Sequence, residues 1–334
     1  MSAIRRRSRA DLGCAGELIS TITLNPALDN TVAVRRLVVE DVNRWTSFRR
    51  DPGGKGIGVS RVFHKLGGHT LAYGFIGGHA GRVVETLLAR EKVNCAFVHI
   101  RHETRTNIIV TDLETNQQTR LDAPGPRVSP RELEALRRRI RRMSPRPSFL
   151  VMSGSVPPGV PDDIYAEFIR VARGMGVKAV LDSDGVWLQE GLRAKPYMVK
   201  PNVHETARLL GTDLETEDDI VAAALELHGR GVAIVVISRG RDGLVATDGL
   251  RVVRAAPPPV NVRSSVGAGD AMVAGLVLRL CQGASLVEAC RLGVAAGSAA
   301  VLTPGTQLCR RRDVERLLPL VRVEEIRQHC DRTV

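Results

Sequence analysis

The most regular feature of this chain is an alternation between short runs rich in β-branched residues and longer stretches with apolar residues at helical spacing. This alternation predicts a doubly wound, mainly parallel sheet with helices on both faces. The predicted strands are Ser20 to Leu24, Thr70 to Phe75, Phe149 to Ser153, Ala179 to Asp182, Tyr197 to Lys200 and Ile234 to Ser238. The predicted helices are Ile57 to Leu66, Val83 to Glu91, Arg131 to Arg142, Pro161 to Arg173 and Ile220 to His228.

Two segments interrupt this pattern, residues 31–50 and residues 105–122. The second alternates apolar and polar positions and then meets a polar turn, and both segments resemble pieces of β-hairpins. We expect them to form a small sheet that projects from the main sheet as a lid. After about residue 265 the chain is rich in Ala and Gly, so the helices predicted there can pack closely.

This organisation predicts one domain over residues 18–321, with both lid segments inserted in it. Residues 1–17 are basic but lack the apolar core of a signal peptide, so we expect a disordered arm. Residues 322–334 are expected to form a charged tail. No apolar stretch reaches the roughly 20 residues of a membrane span, so no membrane association is expected.

Composition and charge change this picture only slightly. The 334 residues are 43% hydrophobic and 25% charged, as in ordinary globular proteins. A net charge of +12 is compatible with a nucleic-acid partner. However, the arginines are scattered over predicted helix faces with few aromatic residues between them to stack bases, so we expect no nucleic-acid partner. The six cysteines include no CxxC pair, which favours the reducing cytoplasm.

The segment Ser264 to Gly275 carries the strongest chemical signal, because a glycine turn opens directly into an apolar helix. The backbone N–H groups of Gly267, Ala268 and Gly269 can form an anion hole at the positive end of the helix dipole. Asp270 stands beside that hole, where a carboxylate can accept the proton of an attacking alcohol during phosphoryl transfer. The alternative is that Asp270 only caps the helix.

Two familiar nucleotide-binding motifs are excluded. Met272 occupies the position of the third glycine in a dinucleotide fingerprint, and Lys55 is followed by Gly56 rather than by the Ser or Thr of a P-loop. A second glycine-rich segment, residues 51–68, precedes an amphipathic helix, and its glycines let backbone approach a ligand closely. A structural turn is the alternative explanation for this segment.

Together the two glycine-rich segments resemble the paired signatures of the phosphofructokinase B (PfkB) family of ribokinase-like sugar kinases. The resemblance extends from Ile19 to about Leu320. Further pieces follow in family order: TLNPALD at residues 23–29, SGSVPPG at 153–159, KPNVHE at 200–205 and SRGRDG at 238–243. The resemblance implies a ribokinase-like fold and an ATP-dependent kinase that phosphorylates a sugar phosphate.

The resemblance also implies where the sugar phosphate binds. Asp29, Gly53 and Gly54 would hold sugar hydroxyls. Arg105, and with it Arg44, would bind the phosphate already on the sugar, because a guanidinium group binds phosphate bidentately. For Arg44, a plain surface arginine is the alternative. Asn107 and Ser153 complete the set of substrate-binding residues that the resemblance implies.

On the nucleotide side, the resemblance implies contacts from Lys200, Asn202 and the loop that contains Ser238, Gly240 and Gly243. Asn202 and Glu205 are similar to the family's NxxE element, which orders Mg²⁺ on the nucleotide phosphates through water. Capping and turn formation alone could also explain these residues. Whether K⁺ assists is left open.

One position departs from the family pattern. Gly58 stands where the first signature usually has an asparagine that contacts the sugar. A sugar contact is therefore expected to be missing or to be supplied by another residue such as Ser60.

The family resemblance leaves the substrate open among three sugar phosphates. The segment Glu40 to Arg44 and the lysine at Lys55 are similar to fructose 1-phosphate and tagatose 6-phosphate kinases, whereas residues 293–309 are more similar to fructose 6-phosphate kinases. We rank fructose 1-phosphate first. An exposed lid sheet needs cover, which predicts a homodimer with paired lids. The alternative of another class is a catalytically weak regulator that binds sugar phosphates.

Overall fold

The computed structural model describes residues 18–326. The strands are β1 (Leu18–Thr23), β2 (Ala27–Val34), β3 (Trp45–Gly53), β4 (His69–Ile76), β5 (Asn94–His99), β6 (Arg105–Asp112), β7 (Gln118–Leu121), β8 (Phe149–Ser153), β9 (Lys178–Asp182), β10 (Met198–Val199), β11 (Ile234–Ser238), β12 (Leu244–Thr247), β13 (Val252–Ala256) and β14 (Arg322–Ile326). The α-helices are α1 (Lys55–Lys65), α2 (Gly78–Arg90), α3 (Pro130–Arg141), α4 (Ile164–Gly174), α5 (Gly185–Arg193), α6 (Val203–Leu210), α7 (Glu217–Gly229), α8 (Ala268–Cys281), α9 (Leu286–Ala300) and α10 (Arg311–Leu317). The predicted arm over residues 1–17 lies outside the described residues.

The main sheet has the strand order β14-β13-β12-β11-β10-β9-β8-β1-β4-β5. From β11 to β5 in this order all neighbouring strands are parallel, which confirms the predicted mainly parallel sheet. The strands β12, β13 and β14 are antiparallel and form one edge of the sheet. The sequence analysis did not predict this antiparallel edge.

The carboxyl end of the domain extends further than the sequence analysis predicts. Residues 322–326, assigned there to a charged tail, form β14 and pair with β13, with Val323 opposite Ala255. Glu324 and Glu325 are exposed in this edge strand. Charged side chains are common on edge strands, so the composition of this strand is similar to that of a charged tail. Residues 327–334 of the predicted tail lie outside the described residues.

The hydrophobic core is divided by the main sheet into two layers. In β8, Phe149 and Val151 pack on one face of the sheet, whereas Leu150 and Met152 pack on the other. Successive side chains of a strand point to opposite faces, so a strand covered on both faces is apolar at every position. This explains why the parallel strands are continuous apolar runs in the sequence.

The helices α8 and α9 pack closely through glycines, as the small-residue segment after residue 265 predicts. A Cβ atom at Gly275 of α8 would lie only 2.7 Å from the carbonyl oxygen of Leu292 in α9. The same two helices contribute many fully buried residues to one core layer. The close contact fixes α8, and therefore the glycine turn at its amino end, relative to the sheet.

The two predicted hairpin segments form a separate four-stranded sheet with the order β3-β2-β6-β7. β2 pairs with β3 in antiparallel register and with β6 in parallel register. The register places Asp29 of β2 between Asp51 of β3 and Asn107 of β6. We call this sheet the lid, and the face that carries Asp29 the inner face.

A buried arginine ties the base of the lid to the main domain. Arg61 in α1 is only 3% exposed and donates two hydrogen bonds to Glu91, of 2.8 and 2.6 Å. It also donates to the carbonyl oxygens of Pro52 and Thr306, both at 3.2 Å. Asp51 accepts a bond of 2.8 Å from the Thr306 hydroxyl. Breaking a buried, hydrogen-bonded ion pair is costly, so this cluster holds the lid base firmly.

Within residues 18–326, no helix combines the length and the apolar character needed to cross a lipid bilayer. Cys95, Cys281, Cys290 and Cys309 form no disulfide in this part of the chain, and all but Cys95 are buried. The cytoplasmic location that the sequence analysis favours stays a prediction.

Candidate active site

The candidate site lies where the parallel strands end. Ser153, Asp182 and Ser238 are the last residues of β8, β9 and β11. Carboxyl ends of parallel strands meet at one edge of a sheet, which is where open α/β sheets bind ligands. The segment 264–270 and the inner face of the lid complete the surroundings of the site.

The turn before α8 leaves backbone donors free, as the sequence analysis predicts. Gly267 is the N-cap of α8 in a left-handed conformation with φ of 80°, and a side chain there would overlap Leu308. Within residues 18–326, the amides of Gly267, Gly269 and Asp270 have no acceptor, whereas the Ala268 amide lies 3.4 Å from the Ser265 carbonyl oxygen. Free amides at a helix amino terminus bind anions.

Asp270 lies in the first turn of α8 and is half-buried. Its side chain accepts no hydrogen bond from the α8 backbone, so the structure does not use it as a helix cap. Burial, together with the nearby carboxylate of Asp182, raises the pKa of Asp270 to about 7. A carboxyl group with a pKa near neutral is suited to accept a proton from an alcohol.

The departure at Gly58 has a steric explanation in this structure. Gly58 lies in α1, directly against Asp270, and a Cβ atom at this position would overlap Oδ2 of the carboxylate. The suggestion that Ser60 supplies a sugar contact is wrong for this conformation. The Ser60 hydroxyl is fully buried and is hydrogen-bonded to Thr21 at 2.8 Å and to Thr70 at 2.7 Å.

A buried carboxylate between two lysines lies near Asp270. Oδ1 of Asp182 is 3.2 Å from Nζ of Lys200 and 3.8 Å from Nζ of Lys55. Burial alone would raise the pKa of Asp182, but the two ammonium groups lower it below the ordinary value. A Cβ atom at Gly269 would lie 3.7 Å from Nζ of Lys200, so this ammonium group borders the free amides of the glycine turn.

Neither Asp182 nor Lys55 is among the site residues predicted from the sequence. For Asp182 a signal was available, because it is the first polar residue after the apolar run of β9. The mutual proximity of the two lysines was not visible, because they are far apart along the chain. The Asp182 carboxylate raises the pKa of Lys55 above its ordinary value, so Lys55 stays positively charged.

Several of the residues predicted to bind the sugar lie around Asp29. Its Oδ1 accepts a hydrogen bond of 2.9 Å from the Asn107 amide, and burial raises its pKa. A side chain at Gly53 would overlap this carboxylate, and Gly54 has a φ of 113° that favours glycine. The structure thus brings together four of the predicted substrate-binding residues.

Two arginines border Asp29. Arg105 is half-buried and donates to the carbonyl oxygens of Asn25, at 3.3 and 3.0 Å, and Ala123, at 2.7 Å. Arg120, which is not among the predicted site residues, lies in β7 opposite Ile109 of β6. Ile109 is two residues from Asn107 in the same strand, so Arg120 lies on the inner face with Asn107. Its positive charge lowers the pKa of both Asp29 and Asp270, against the effect of burial.

Arg44 and Ser153 are less clearly placed for substrate contact. Arg44 is exposed in the connection between β2 and β3, and it makes no side-chain hydrogen bond or ion pair within residues 18–326. Ser153 is fully buried, and its hydroxyl has no hydrogen-bond partner in the same part of the chain. Their substrate contacts stay predictions.

Asn202 and Glu205, for which a role at the nucleotide is predicted, form a capping box at α6. The Asn202 side chain accepts from the Glu205 amide at 2.8 Å, and Glu205 accepts from the Asn202 amide at 2.9 Å. Asn202 also forms an isolated β-bridge with Ser238. Gly240 and Gly243 have φ angles of 57° and 84°, so backbone rather than side chains shapes this loop.

Comparison with known proteins identifies the family. A family model of the pfkB family carbohydrate kinases matches residues 22–313. The chain belongs to the pfkB family. It is therefore a sugar kinase, a phosphotransferase that acts on a sugar hydroxyl, and the resemblance stated from the motifs is confirmed.

Individual pfkB relatives cover nearly the whole chain. The ATP-dependent 6-phosphofructokinase isozyme 2 of Mycobacterium tuberculosis is 38% identical over 90% of this chain and 89% of the relative. The 1-phosphofructokinase of Borreliella burgdorferi is 34% identical over 92% and 99%. The crystal structure of phosphofructokinase-2 from Escherichia coli in complex with potassium is 36% identical, with a TM-score of 0.87 over 91% of this chain and 99% of that chain. These relatives favour an enzyme over a regulator.

A pfkB kinase uses ATP and a divalent metal. The oxygen donors in this structure suit a metal ion that is bound mainly by the phosphates of the nucleotide. Within residues 18–326, no group of three or more His, Cys, Asp or Glu residues could hold a metal. Glu205 and Asn202 already use one oxygen each in the capping box, which leaves Oε1 of Glu205 as a remaining acceptor. Mg²⁺ typically binds through one or two carboxylates, substrate phosphates and water, and these residues fit that arrangement.

The contact between Gly58 and Asp270 yields the first prediction. In Gly58→Ala, the Asp270 carboxylate must move away from α1, and a displacement of about 1 Å can cost roughly 100-fold in rate. We expect kcat for the sugar phosphate to fall by about that factor, measured with a coupled ADP-release assay, while the circular dichroism spectrum is unchanged.

The matched control is Gly174→Ala, because Gly174 ends α4 and a Cβ atom there meets nothing within 4 Å. This control should keep the kcat of the unmodified protein. Equal activity of the two variants would show that the observed position of Asp270 is not required for catalysis.

Proposed function

We propose that this chain transfers the γ-phosphoryl group of ATP to a fructose monophosphate, with fructose 1-phosphate as the first candidate and fructose 1,6-bisphosphate as the product. The observation that carries this proposal is the position of Asp270. Its carboxyl group, with a pKa near neutral, adjoins the free amides at the amino end of α8. Asp29 on the lid supplies a second carboxylate for the sugar.

In this mechanism Asp270 accepts the proton from the free primary hydroxyl of the sugar as that hydroxyl attacks the γ-phosphorus of ATP, the bond to the β,γ-bridging oxygen breaks and ADP leaves. The amides of Gly267, Gly269 and Asp270 donate to the oxygens of the transferring phosphoryl group, where negative charge must be stabilised. Lys200 and Lys55 place two positive charges on the nucleotide side. Asn202 and Glu205 would hold Mg²⁺ through water, and this ion would neutralise charge on the nucleotide phosphates.

The phosphate already present on the sugar binds to Arg105 and Arg120. Arg105 uses part of its guanidinium group to hold the backbone of Asn25 and Ala123, which fixes its orientation. Arg120 is half-exposed on the lid and, among residues 18–326, pairs only with Asp122, at 3.1 Å, so it can turn toward an anion. Guanidinium groups at these two positions suit the planar recognition of phosphate.

Two observations bear on the identity of the fructose phosphate. Fructose 1-phosphate is supported by the segment Glu40 to Arg44, by Lys55 and by relatives named 1-phosphofructokinase. Fructose 6-phosphate is the second candidate, supported by residues 293–309 and by the 6-phosphofructokinase relatives. Both would give the same product, because each already carries a phosphate at one end and a free primary hydroxyl at the other.

A substrate comparison tests this proposal. In buffer that contains ATP, Mg²⁺ and K⁺, we expect kcat/KM to be highest for fructose 1-phosphate, then fructose 6-phosphate, then tagatose 6-phosphate. Arg120→Gln should raise the KM for the preferred sugar phosphate about tenfold or more, the loss expected for a charge-assisted contact. Its KM for ATP should not change.

The matched control for Arg120 is Arg170→Gln, because Arg170 is exposed on α4, away from the lid. A higher kcat/KM for fructose 6-phosphate would reverse our ranking, and no turnover of any of the three sugar phosphates would refute the proposed substrate class.

Asp270→Asn tests the catalytic base. We expect kcat to fall by about 10²- to 10⁴-fold, the usual contribution of general-base catalysis. The same variant should be more heat-stable than the unmodified protein above pH 7. The carboxyl group has a pKa of 3.8 when unfolded and about 7 when folded, so ionisation costs stability progressively as pH rises through this range.

The stability advantage of Asp270→Asn should therefore grow from about pH 4 to about pH 7 and then level off. Differential scanning calorimetry across this range measures it, with the exposed Asp218→Asn of α7 as the control. Loss of activity without the pH-dependent gain in melting temperature would contradict the raised pKa.

The outer face of the lid supports a homodimer with paired lids. Register and ring stacking place Trp45, Phe48, Ile108 and Leu121 on the face opposite Asp29. Their exposed fractions are 63%, 45%, 42% and 58%. A sheet with one apolar face open to water is a typical site of association, and an isologous contact would cover the same face on both copies.

Sedimentation velocity tests the paired lids. We expect a dimer for the unmodified chain and a monomer for the double variant Trp45→Asp/Ile108→Asp, because burying charge in this contact is unfavourable. Leu250→Asp, at an exposed position 87% open to solvent in the turn between β12 and β13, should remain dimeric. A monomeric unmodified chain at micromolar concentration would rule out the pairing.

A further inference from the structure

A groove with strong positive charge lies between the lid and the main domain. It encloses about 580 Å³ between β3 and α2. Phe48, Val83 and Leu87 supply apolar walls, and Arg50, Arg82 and Arg90 line it with guanidinium groups. None of the lining residues is acidic. The volume is within the usual range for small-molecule sites.

Three of the four arginines that line this groove have no anionic partner in the described part of the chain. Within residues 18–326, the guanidinium groups of Arg50, Arg82 and Arg90 make no hydrogen bond and no ion pair. Arg50 instead lies over the Phe48 ring, 5.3 Å from its centroid. A fourth arginine, Arg49, also lines the groove but is already paired with Asp51 at 2.7 Å.

The nearby carboxylates are used elsewhere. Glu85 of α2 points to His99, with 3.1 Å between Oε1 and Nε2. Glu91, just after α2, binds the buried Arg61 at 2.6 Å. By contrast, Arg82 and Arg90 are eight residues apart in α2 and line the same groove. The positive charge is therefore uncompensated on this side of the helix.

The groove is separate from the candidate active site. Side chains alternate along a strand, so Phe48 and Arg50 point to the outer face of the lid, whereas Asp51 and its register partner Asp29 lie on the inner face. None of the catalytic or sugar-binding residues described above lines the groove.

Like charges held together in this way repel one another, and the repulsion is relieved when an anion binds between them. We propose that the groove is a binding site for a small phosphate-bearing polyanion, held by Arg50 from the lid and by Arg82 and Arg90 from α2. Three guanidinium groups around one cavity suit a ligand with several negative charges, because each can donate charge-assisted hydrogen bonds to phosphate oxygens. Such a ligand would bridge the lid and the main domain.

The test uses inorganic tripolyphosphate as the probe, titrated by calorimetry into full-length protein whose active site is saturated with a non-hydrolysable ATP analogue and Mg²⁺. We expect the Kd of the probe to rise at least about tenfold in the double variant Arg82→Gln/Arg90→Gln, because two charge-assisted contacts are lost. Circular dichroism and the melting temperature without probe establish that the variant is folded.

The matched control is Arg131→Gln/Arg138→Gln, which removes the same charge from exposed positions of one helix, α3. This control should keep the Kd of the unmodified protein within about twofold. The proposal is overturned if the groove variant binds the probe as tightly as the control does. It is also overturned if sodium sulfate, at an ionic strength equal to that of the probe solution, abolishes binding of the probe, because this would indicate non-specific screening. It is equally overturned if the groove variant only loses self-association, because the groove would then be a contact between copies of the chain.

Discussion

The position of Asp270 between the carboxylate of Asp182 and the ammonium groups of two lysines is the constraint on which the rest of the site depends. Burial at the amino end of α8 and the nearby carboxylate of Asp182 both disfavour the ionised form of Asp270. They raise its pKa to about 7. The ammonium groups of Lys55 and Lys200 limit that effect, because they compensate Asp182. The result is a carboxyl group with a pKa near neutral beside free backbone amides, the arrangement on which the proposed mechanism rests.

The positions of these carboxylates and of the turn depend on close backbone contacts at glycines rather than on many side chains. Gly58 leaves space for the Asp270 carboxylate, Gly53 leaves space for Asp29, and Gly267 adopts a left-handed conformation that opens the turn. At each of these positions a side chain would overlap a neighbour or strain the backbone. The close packing of α8 on α9 through Gly275 then keeps the turn at a fixed distance from the sheet.

The lid carries the residues proposed to bind the sugar and is anchored at its base by Arg61. Asp29 and Asn107 come from two strands that pair in register, so their hydrogen bond depends on the lid sheet being formed. The buried contacts of Arg61 with Glu91 and with the Pro52 carbonyl oxygen join α1, α2 and β3 at one point. The two faces of the lid then differ in chemistry, with polar groups toward the site and apolar and basic groups outward.

The sequence by itself determined the parallel sheet, the lid segments and the glycine turn before Asp270, because each rests on a local pattern of apolar spacing or glycine placement. It did not predict the antiparallel edge of the main sheet. The sequence of β14 resembles a charged tail, because an exposed edge strand contains few apolar residues. Only the tertiary structure brought Lys55 and Lys200 to Asp182, Arg120 to the inner face of the lid, and Gly58 to Asp270. These contacts join residues far apart in the chain, and their distances are set by sheet register and helix packing rather than by local sequence.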